Sequence, residues 1–410
     1  MLHHGKRIPQ YFGQVADNKL RTLHRTVNGS VESEQNRLEW RVGDPGDPAL
    51  LLEDFLAAEG LPVRDLTALK NDPGVIQVTA GAQPQAALLI SAAAGAAMVG
   101  ADPGPPSPAP EVPDLVAVVR HAEQPPPVVT AELQPSLWVG EWKPSWTPAE
   151  HAEAVETVRA AISRGDVYQV NVVGHQSAPY RGDPAVALAR VADLPGAVYG
   201  GQLSGAGWAV STGSPECLVT VAGGEVVTRP IKGTRPRDEQ GRAELYASAK
   251  ERAEHVMIVD LERNDLARIA CTGTVRVEEL YALRPWCDLW QAESTVRADL
   301  RPGVGLAELL RAVLPGGSVT GAPKLAAVDL IAGLEPVGRG PSMGALGYLS
   351  AAGLDLGLTI RTVAATPDRL HIWAGGGITW GSEALAEVAE AAAKAEPVRR
   401  AITAAARAGW

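Results

Sequence analysis

Residues 229–237 read Arg-Pro-Ile-Lys-Gly-Thr-Arg-Pro-Arg. Pro230 closes the strand-like run 225–229, because proline has no N–H to give to a ladder. Gly233-Thr234 reads as a tight turn with exposed backbone N–H groups. Lys232 is therefore expected at a turn and not on a helix face. Three cations, Arg229, Arg235 and Arg237, stand within five residues of it. In an enclosed site they would favour the neutral, nucleophilic amine. Taken alone, the stretch reads more readily as a solvated basic turn, so the rest of the chain decides.

The bulk numbers bound that decision. A chain of 410 residues, 46% hydrophobic and 20% charged, has ample material for a core and the balance of an ordinary globular protein. Its net charge of −10 disfavours a nucleic-acid partner, which needs a basic face. Cys217, Cys271 and Cys287 lack metal-ligand spacing and read as reduced thiols. The alanine-rich run 86–100 is too short to span a membrane, and the polar residues 1–20 lack a signal-peptide core. A cytoplasmic protein is expected.

Along the chain, residues 1–37 are polar and aperiodic and are expected to be poorly ordered. Residues 38–100 read as a small α/β portion. Nine prolines between Asp102 and Pro127 make 101–130 a linker or surface loop, leaving 131–410 as the catalytic domain. Thr147-Pro148-Ala149-Glu150 opens a helix with Val155, Val158 and Ile162 on one stripe, and Gly165 closes it. The segments 167–173, 208–212 and 217–221 are strand-like. Helical stretches are expected at about 240–270 and 382–406, the second broken or kinked by Pro397. Without regular βαβ alternation the class is α+β.

Glu387, Glu390 and Lys394 fall at i, i+3 and i+7 and so share a helix face, and Glu251 and Glu254 are likewise three apart. Two carboxylate pairs on separate helices could clamp a hard divalent cation. No His or Cys cluster competes, so Mg²⁺ is the natural candidate. Either pair alone reads as a solvated face, with Glu390–Lys394 an i,i+4 pair worth a few tenths of a kcal/mol. Gly375-Gly376-Gly377 permits close approach of a ligand but is equally a plain turn. Gly316–Lys324 fails the phosphate-loop pattern, since Ala-Pro separates Gly321 from Lys324 and no Ser or Thr follows. Glu216 heads a β-branched segment, a place where an isolated carboxylate is normally exposed.

Seven further blocks settle the matter. They are Asp166-Val-Tyr-Gln-Val-Asn171, Ser214-Pro-Glu216, Glu254-His-Val-Met-Ile-Val-Asp-Leu-Glu-Arg-Asn-Asp265, Gly317-Ser-Val-Thr-Gly-Ala-Pro-Lys324, Ile360-Arg-Thr362, Ala374-Gly-Gly-Gly-Ile378 and Glu387-x-x-Glu390-x-x-x-Lys394. With Pro230–Arg237 they resemble, in order and over about residues 145–400, the chorismate-utilising enzymes, in particular the aminodeoxychorismate synthase branch. The resemblance implies two large stacked antiparallel sheets with outer helices and a site between the sheets. It implies Lys232 as the nucleophile at ring C2 and Glu216 as general acid for the departing C4 hydroxyl. Glu254 and Glu390 would ligate Mg²⁺, with Glu251 and Glu387 behind them through water. Gly233, Thr234, Thr320, Arg361, Gly375, Gly377 and Lys394 would bind chorismate. Ammonia would then attack C4 and expel the lysine, giving 4-amino-4-deoxychorismate for p-aminobenzoate and folate.

Gln169 stands where water-adding relatives carry lysine, which argues against isochorismate formation. Two positions depart from the family: Gln291 replaces a histidine and Ser342 a tyrosine, which puts pyruvate release in doubt. Alternatives are an anthranilate synthase component I, whose relatives usually carry alanine at Lys232, and an inactive chorismate-binding subunit. No cysteine has the setting of a glutaminase nucleophile, and the stretch after Lys394 is too short for another domain. A separate glutamine amidotransferase subunit is therefore expected to supply ammonia.

Overall fold

The computed structural model describes residues 36–70, 84–121 and 137–407. Among them, eighteen strands form two sheets, and every pairing is antiparallel. The larger sheet runs β1 (Arg37–Trp40), β3 (Leu115–Arg120), β2 (Gln85–Ile90), β15 (Ala345–Ser350), β16 (Gly353–Leu358), β9 (Cys217–Ala222), β10 (Glu225–Arg229), β13 (Leu289–Asp299) and β11 (Ile231–Pro236). In addition, β12 (Arg276–Trp286) pairs with β13. The smaller runs β14 (Gly321–Ala322), β6 (Gln169–Arg181), β18 (Arg369–Ile378), β17 (Thr362–Ala365), β8 (Trp208–Ser214) and β7 (Tyr199–Gly205). Two short strands, β4 (Trp138–Val139) and β5 (Lys143–Pro144), also pair with β6.

Strand alternation explains how the sheets stack. Successive side chains of a strand point to opposite faces. On β6, Val173 joins a core shared with the larger sheet, where it meets the same cluster as Leu88, Val219, Leu346 and Leu358. Val170 and Val172 point the other way, into a cluster with α3 (Pro148–Arg164) and α8 (Lys324–Leu334). Likewise Leu370 and Ile372 of β18 pack outward on α4 (Ala185–Ala192) and α9 (Ala384–Arg407), while Trp373 joins the shared core. Helices α1 (Pro48–Ala58), α2 (Ala92–Met98) and α7 (Leu306–Val313) add Leu52, Leu56, Met98, Leu309 and Leu310 to that core. The α+β sandwich with helices outside therefore follows from period-2 patterning on β6 and β18.

Several boundaries differ from expectation. The predicted poorly ordered stretch lies outside the described residues as far as residue 35, and Arg37 already opens β1. Within residues 38–100, β2 pairs along its length with β15 and so joins the larger sheet. The proline-rich stretch 101–130 contains β3, inserted between β1 and β2. Its Leu-Val-Ala-Val-Val run is buried, as suits a strand covered on both faces, and the flanking prolines masked it. The stretch near 240–270 is two helices, α5 (Glu239–Ala247) and α6 (Ala249–Ala267), parted at Ser248, whose hydroxyl caps α6 by accepting from the Glu251 N–H. Helix α9 continues through Pro397, with buried Ala395, Val398 and Ile402 holding its inner face to the sheet. The α3 capping box of Thr147 and Glu150 and the left-handed Gly165 at its end are as expected.

A buried ion pair ties this frame together. Arg339 meets the Glu335 carboxylate at 2.6 Å and donates to the carbonyls of Val319 and Asn171, while Glu335 accepts from the Val173 N–H. Removing one partner of such a pair strands the other in a dry interior, at a cost of about 3–5 kcal/mol. Arg339→Met should therefore lose stability on that scale in urea unfolding.

Candidate active site

Chain crossings between the sheets build the site. Strand β8 belongs to the smaller sheet and β9 to the larger, and the chain passes between them at Pro215-Glu216. On the other wall, β17 pairs with β18 only over Val363–Ala365, because the chain enters this strand from Arg361, whose φ is +55. The β18 edge from Ala374 to Gly377 thus keeps its β6 partner but has no strand on its other side among the described residues. An open cavity of about 850 Å³ including its mouth occupies that gap.

Twelve of the thirteen predicted residues line it. Lys232, Gly233 and Thr234 come from β11, Glu216 from the crossover, and Gly375 and Gly377 from β18. Arg361 follows β16, Glu251 and Glu254 come from α6, and Glu387, Glu390 and Lys394 from α9. Thr320 is the exception. Its hydroxyl donates to the Gly316 carbonyl at 2.8 Å, and it faces a separate small cavity beside Glu335 and Arg339. The geometry of Lys232 also corrects expectation. Lys232 lies on a strand, and Gly233 forms a bulge with φ +77, where an added Cβ would stand 2.8 Å from Leu245 Cδ1.

Burial sets the ionisation of Glu216 and Lys232. It pushes the Glu216 carboxyl up to about 7, against the opposing pull of the Ser318 hydroxyl, the Lys232 charge and the Ile231 N–H. It lowers the Lys232 amine, and Lys394 is the next cause, so the three arginines of the local sequence are not what favours the neutral form. Arg235 is instead spent on Glu251 at 3.1 Å. Ser318 joins the pair: its hydroxyl donates to Glu216 Oε1 at 2.5 Å, and its carbonyl accepts from Lys232 Nζ at 2.9 Å. The sequence block containing Ser318 was evident, but nothing in it singled out that hydroxyl.

Polar atoms without partners point into the same region. Both amide atoms of Gln169, Asn171 Oδ1 and Arg361 Nε are buried and unpaired, hydrogen-bonding capacity that a ligand or water in the cavity would take up. Period 2 places Gln169 and Asn171 on the same face as Val173, a signal that could have identified Asn171. Arg361 is held by its Nη1 on the Lys394 carbonyl at 2.7 Å and by the Trp286 ring at 4.5 Å, and burial lowers it to about 10. Gln291 lines the cavity, whereas Ser342 is buried on the Thr359 carbonyl, and Met343 lines the wall instead.

The carboxylates are individually engaged. Glu390 meets Lys394 at 2.5 Å, and Glu254 accepts from Thr379 Oγ1 at 3.1 Å with Lys250 at 3.8 Å. Among the described residues no three His, Cys, Asp or Glu side chains converge as a ligand group. The donors nonetheless fit a hard divalent cation. All are oxygen, and Glu254 and Glu387 are raised chiefly by burial and further by neighbouring carboxylates, a strain that added positive charge relieves. Cys217 and Cys287, raised by burial to about 12 and about 11, are not thiolates near neutral pH.

Fold and site together define a two-sheet α+β sandwich that holds a buried carboxyl and an amine in the gap between its sheets. The chorismate binding enzyme family matches residues 104–400, and the chain belongs to that family. It is 41% identical over 256 residues to aminodeoxychorismate synthase component 1 of Salmonella typhimurium, covering 61% of this chain and 56% of the relative. It is 40% identical over 269 residues to anthranilate synthase component 1 of Streptomyces coelicolor, covering 64% and 53%. The matched region thus spans a little over half the length of these relatives. The crystal structure of anthranilate synthase component I from Streptococcus pneumoniae superposes with a TM-score of 0.73 at 24% identity, covering 97% of this chain and all of that one, and shows the shared fold.

Since the Lys394 charge lowers Lys232, Lys394→Gln should raise the Lys232 pKa and leave less free amine. Labelling by an amine-reactive reagent at pH 8, followed by peptide mass spectrometry, should then show slower modification of Lys232 than in the parent.

Proposed function

We propose that this chain is the chorismate-aminating component of an aminodeoxychorismate synthase, forming 4-amino-4-deoxychorismate from chorismate and ammonia. The observation that carries the reading is one cavity in which burial favours a neutral lysine and a protonated carboxyl, linked through Ser318. Lys232 Nζ bonds to ring C2 as the two ring double bonds shift and the C4–O bond breaks. Glu216 gives the proton with which the hydroxyl departs as water. Ammonia then bonds at C4, the double bonds return, and the C2–N bond to Lys232 breaks. Arg361, Lys394 and the bare backbone of Gly375 and Gly377 hold the substrate carboxylates. Glu254 and Glu390, supported by Glu251 and Glu387, would hold Mg²⁺, which would supply positive charge against a substrate carboxylate.

A relative at 40% identity is named for anthranilate synthesis. A bond from the Lys232 amine to C2 would occupy the carbon that such chemistry must aminate, so we favour C4 amination. The designation component 1 on the aminodeoxychorismate synthase relatives supports a second subunit. We assign that subunit the release of ammonia from glutamine, because burial raises the thiols of the buried Cys217 and the half-buried Cys287, and the Cys271 thiol donates to the Leu300 carbonyl.

Lys232→Ala should bind chorismate but lose C4 amination by a factor on the order of a hundred or more. A parental rate of product formation in that variant would exclude the covalent role. Turnover should stop in excess EDTA and return with Mg²⁺, and Glu390→Gln should lose most of it; undiminished turnover in EDTA contradicts the metal site. The purified chain should use ammonium and not glutamine, and equal rates with both would remove the need for a partner.

A further inference from the structure

We infer that Ser318 is a positioning residue that decides which oxygen of Glu216 carries the transferable proton: its hydroxyl occupies Oε1, so the proton resides on Oε2. This inference rests on the amination reading for its catalytic meaning, but its physical content stands on the site alone. Two donors converge on Oε1, the Ser318 hydroxyl at 2.5 Å and the Ile231 N–H at 3.3 Å. A carboxyl oxygen that accepts two hydrogen bonds serves as the carbonyl oxygen of the acid, because a proton placed there would face both donors. The acid proton is thereby directed to the other oxygen, from which it departs with the C4 hydroxyl as water while Glu216 becomes a carboxylate.

Ser318 touches the second reacting group through a different atom. Its main-chain carbonyl accepts from Lys232 Nζ at 2.9 Å, so a side-chain substitution alters the Glu216 contact and leaves the Lys232 contact in place. The residue is itself buried in the single turn Gly317–Val319, which limits its freedom to swing away. The charged groups that act on Glu216 come from four elements. They are Lys232 on β11, Glu293 on β13, Glu262 on α6 and Arg361 after β16. The Ser318 hydroxyl favours the carboxylate over the acid, so its removal makes Glu216 a weaker acid.

The test is infrared titration of the full chain, using the protonated-carboxyl band that disappears in Glu216→Gln. In the parent this band should titrate near pH 7. In Ser318→Ala the midpoint should rise by about one pH unit, the worth of one hydrogen bond to a charged group. The carbonyl frequency should rise too, because the oxygen that Ser318 held is the C=O oxygen. Ser318→Thr should restore both, and Ser318→Cys, a weaker donor of similar size, should move both in the alanine direction if alanine fails to fold. With chorismate and ammonium, the limb of kcat against pH that Glu216 sets should shift upward in Ser318→Ala while the limb set by Lys232 stays. An unchanged frequency and midpoint, or no band lost in Glu216→Gln, overturns the inference. Failure of the parent to form 4-amino-4-deoxychorismate overturns the amination reading and leaves the infrared result to decide the role of Ser318.

Discussion

A methyl group on Gly377 would lie 2.1 Å from Gln169 Nε2 and 3.0 Å from Lys232 Nζ, and one on Gly375 would lie 2.1 Å from the Val172 carbonyl. No ordinary side chain fits either position. The two sheets each carry part of the machinery, Lys232 on the larger and the β18 edge on the smaller, and they approach this closely only because the smaller sheet presents bare backbone there. On the other side of the same strand, a Cβ on Gly376 would stand 3.2 Å from Glu387 Oε2 and 3.6 Å from Lys394 Nζ. The glycine run is thus the common floor on which the lysine, the β6 amides and the α9 charges all rest. Any residue larger than glycine at 377 would push apart groups whose usefulness depends on their separation.

The electrostatic character follows from that close approach. Lys232 and Glu216 are removed from water by both sheets, and burial drives each toward its uncharged form. The charges that remain are interleaved: Lys394 against Glu390, Arg235 against Glu251, and Arg361 stacked on Trp286 with its head on the Lys394 carbonyl. Such an arrangement keeps local charge compensated while leaving Gln169, Asn171 and Arg361 with unspent hydrogen-bonding capacity. Unpaired buried polar atoms are costly in a closed protein, and here they gather at one cavity where a ligand can satisfy them.

Much of the candidate site was legible because its residues lie in short blocks with fixed spacing. Glu387, Glu390 and Lys394 share a helix face by arithmetic alone, and α9 presents all three to the cavity as the spacing requires. Thr320 misled because the loop around it points alternate groups to opposite sides, so the neighbouring Ser318 faces the site and Thr320 does not. The source of the Lys232 perturbation was also hidden: its sequence neighbours are arginines, while its spatial neighbour is Lys394 on a distant helix. For the fold, the capping box of α3 is a local signal and was read correctly. Strand β3 was lost among prolines because its partners, β1 and β2, are set by tertiary pairing that no local pattern reports.

The pairing of β2 with β15 joins Gln85 to Ser350 and Ile90 to Ala345. During synthesis the amino-terminal strands therefore emerge long before the strand that completes their sheet. At the usual pace of translation the interval is on the order of tens of seconds. Through that interval the apolar edge of β2 has β3 on one side and no neighbour on the other. The nascent chain thus carries an open strand edge of the kind that recruits chaperones or self-associates.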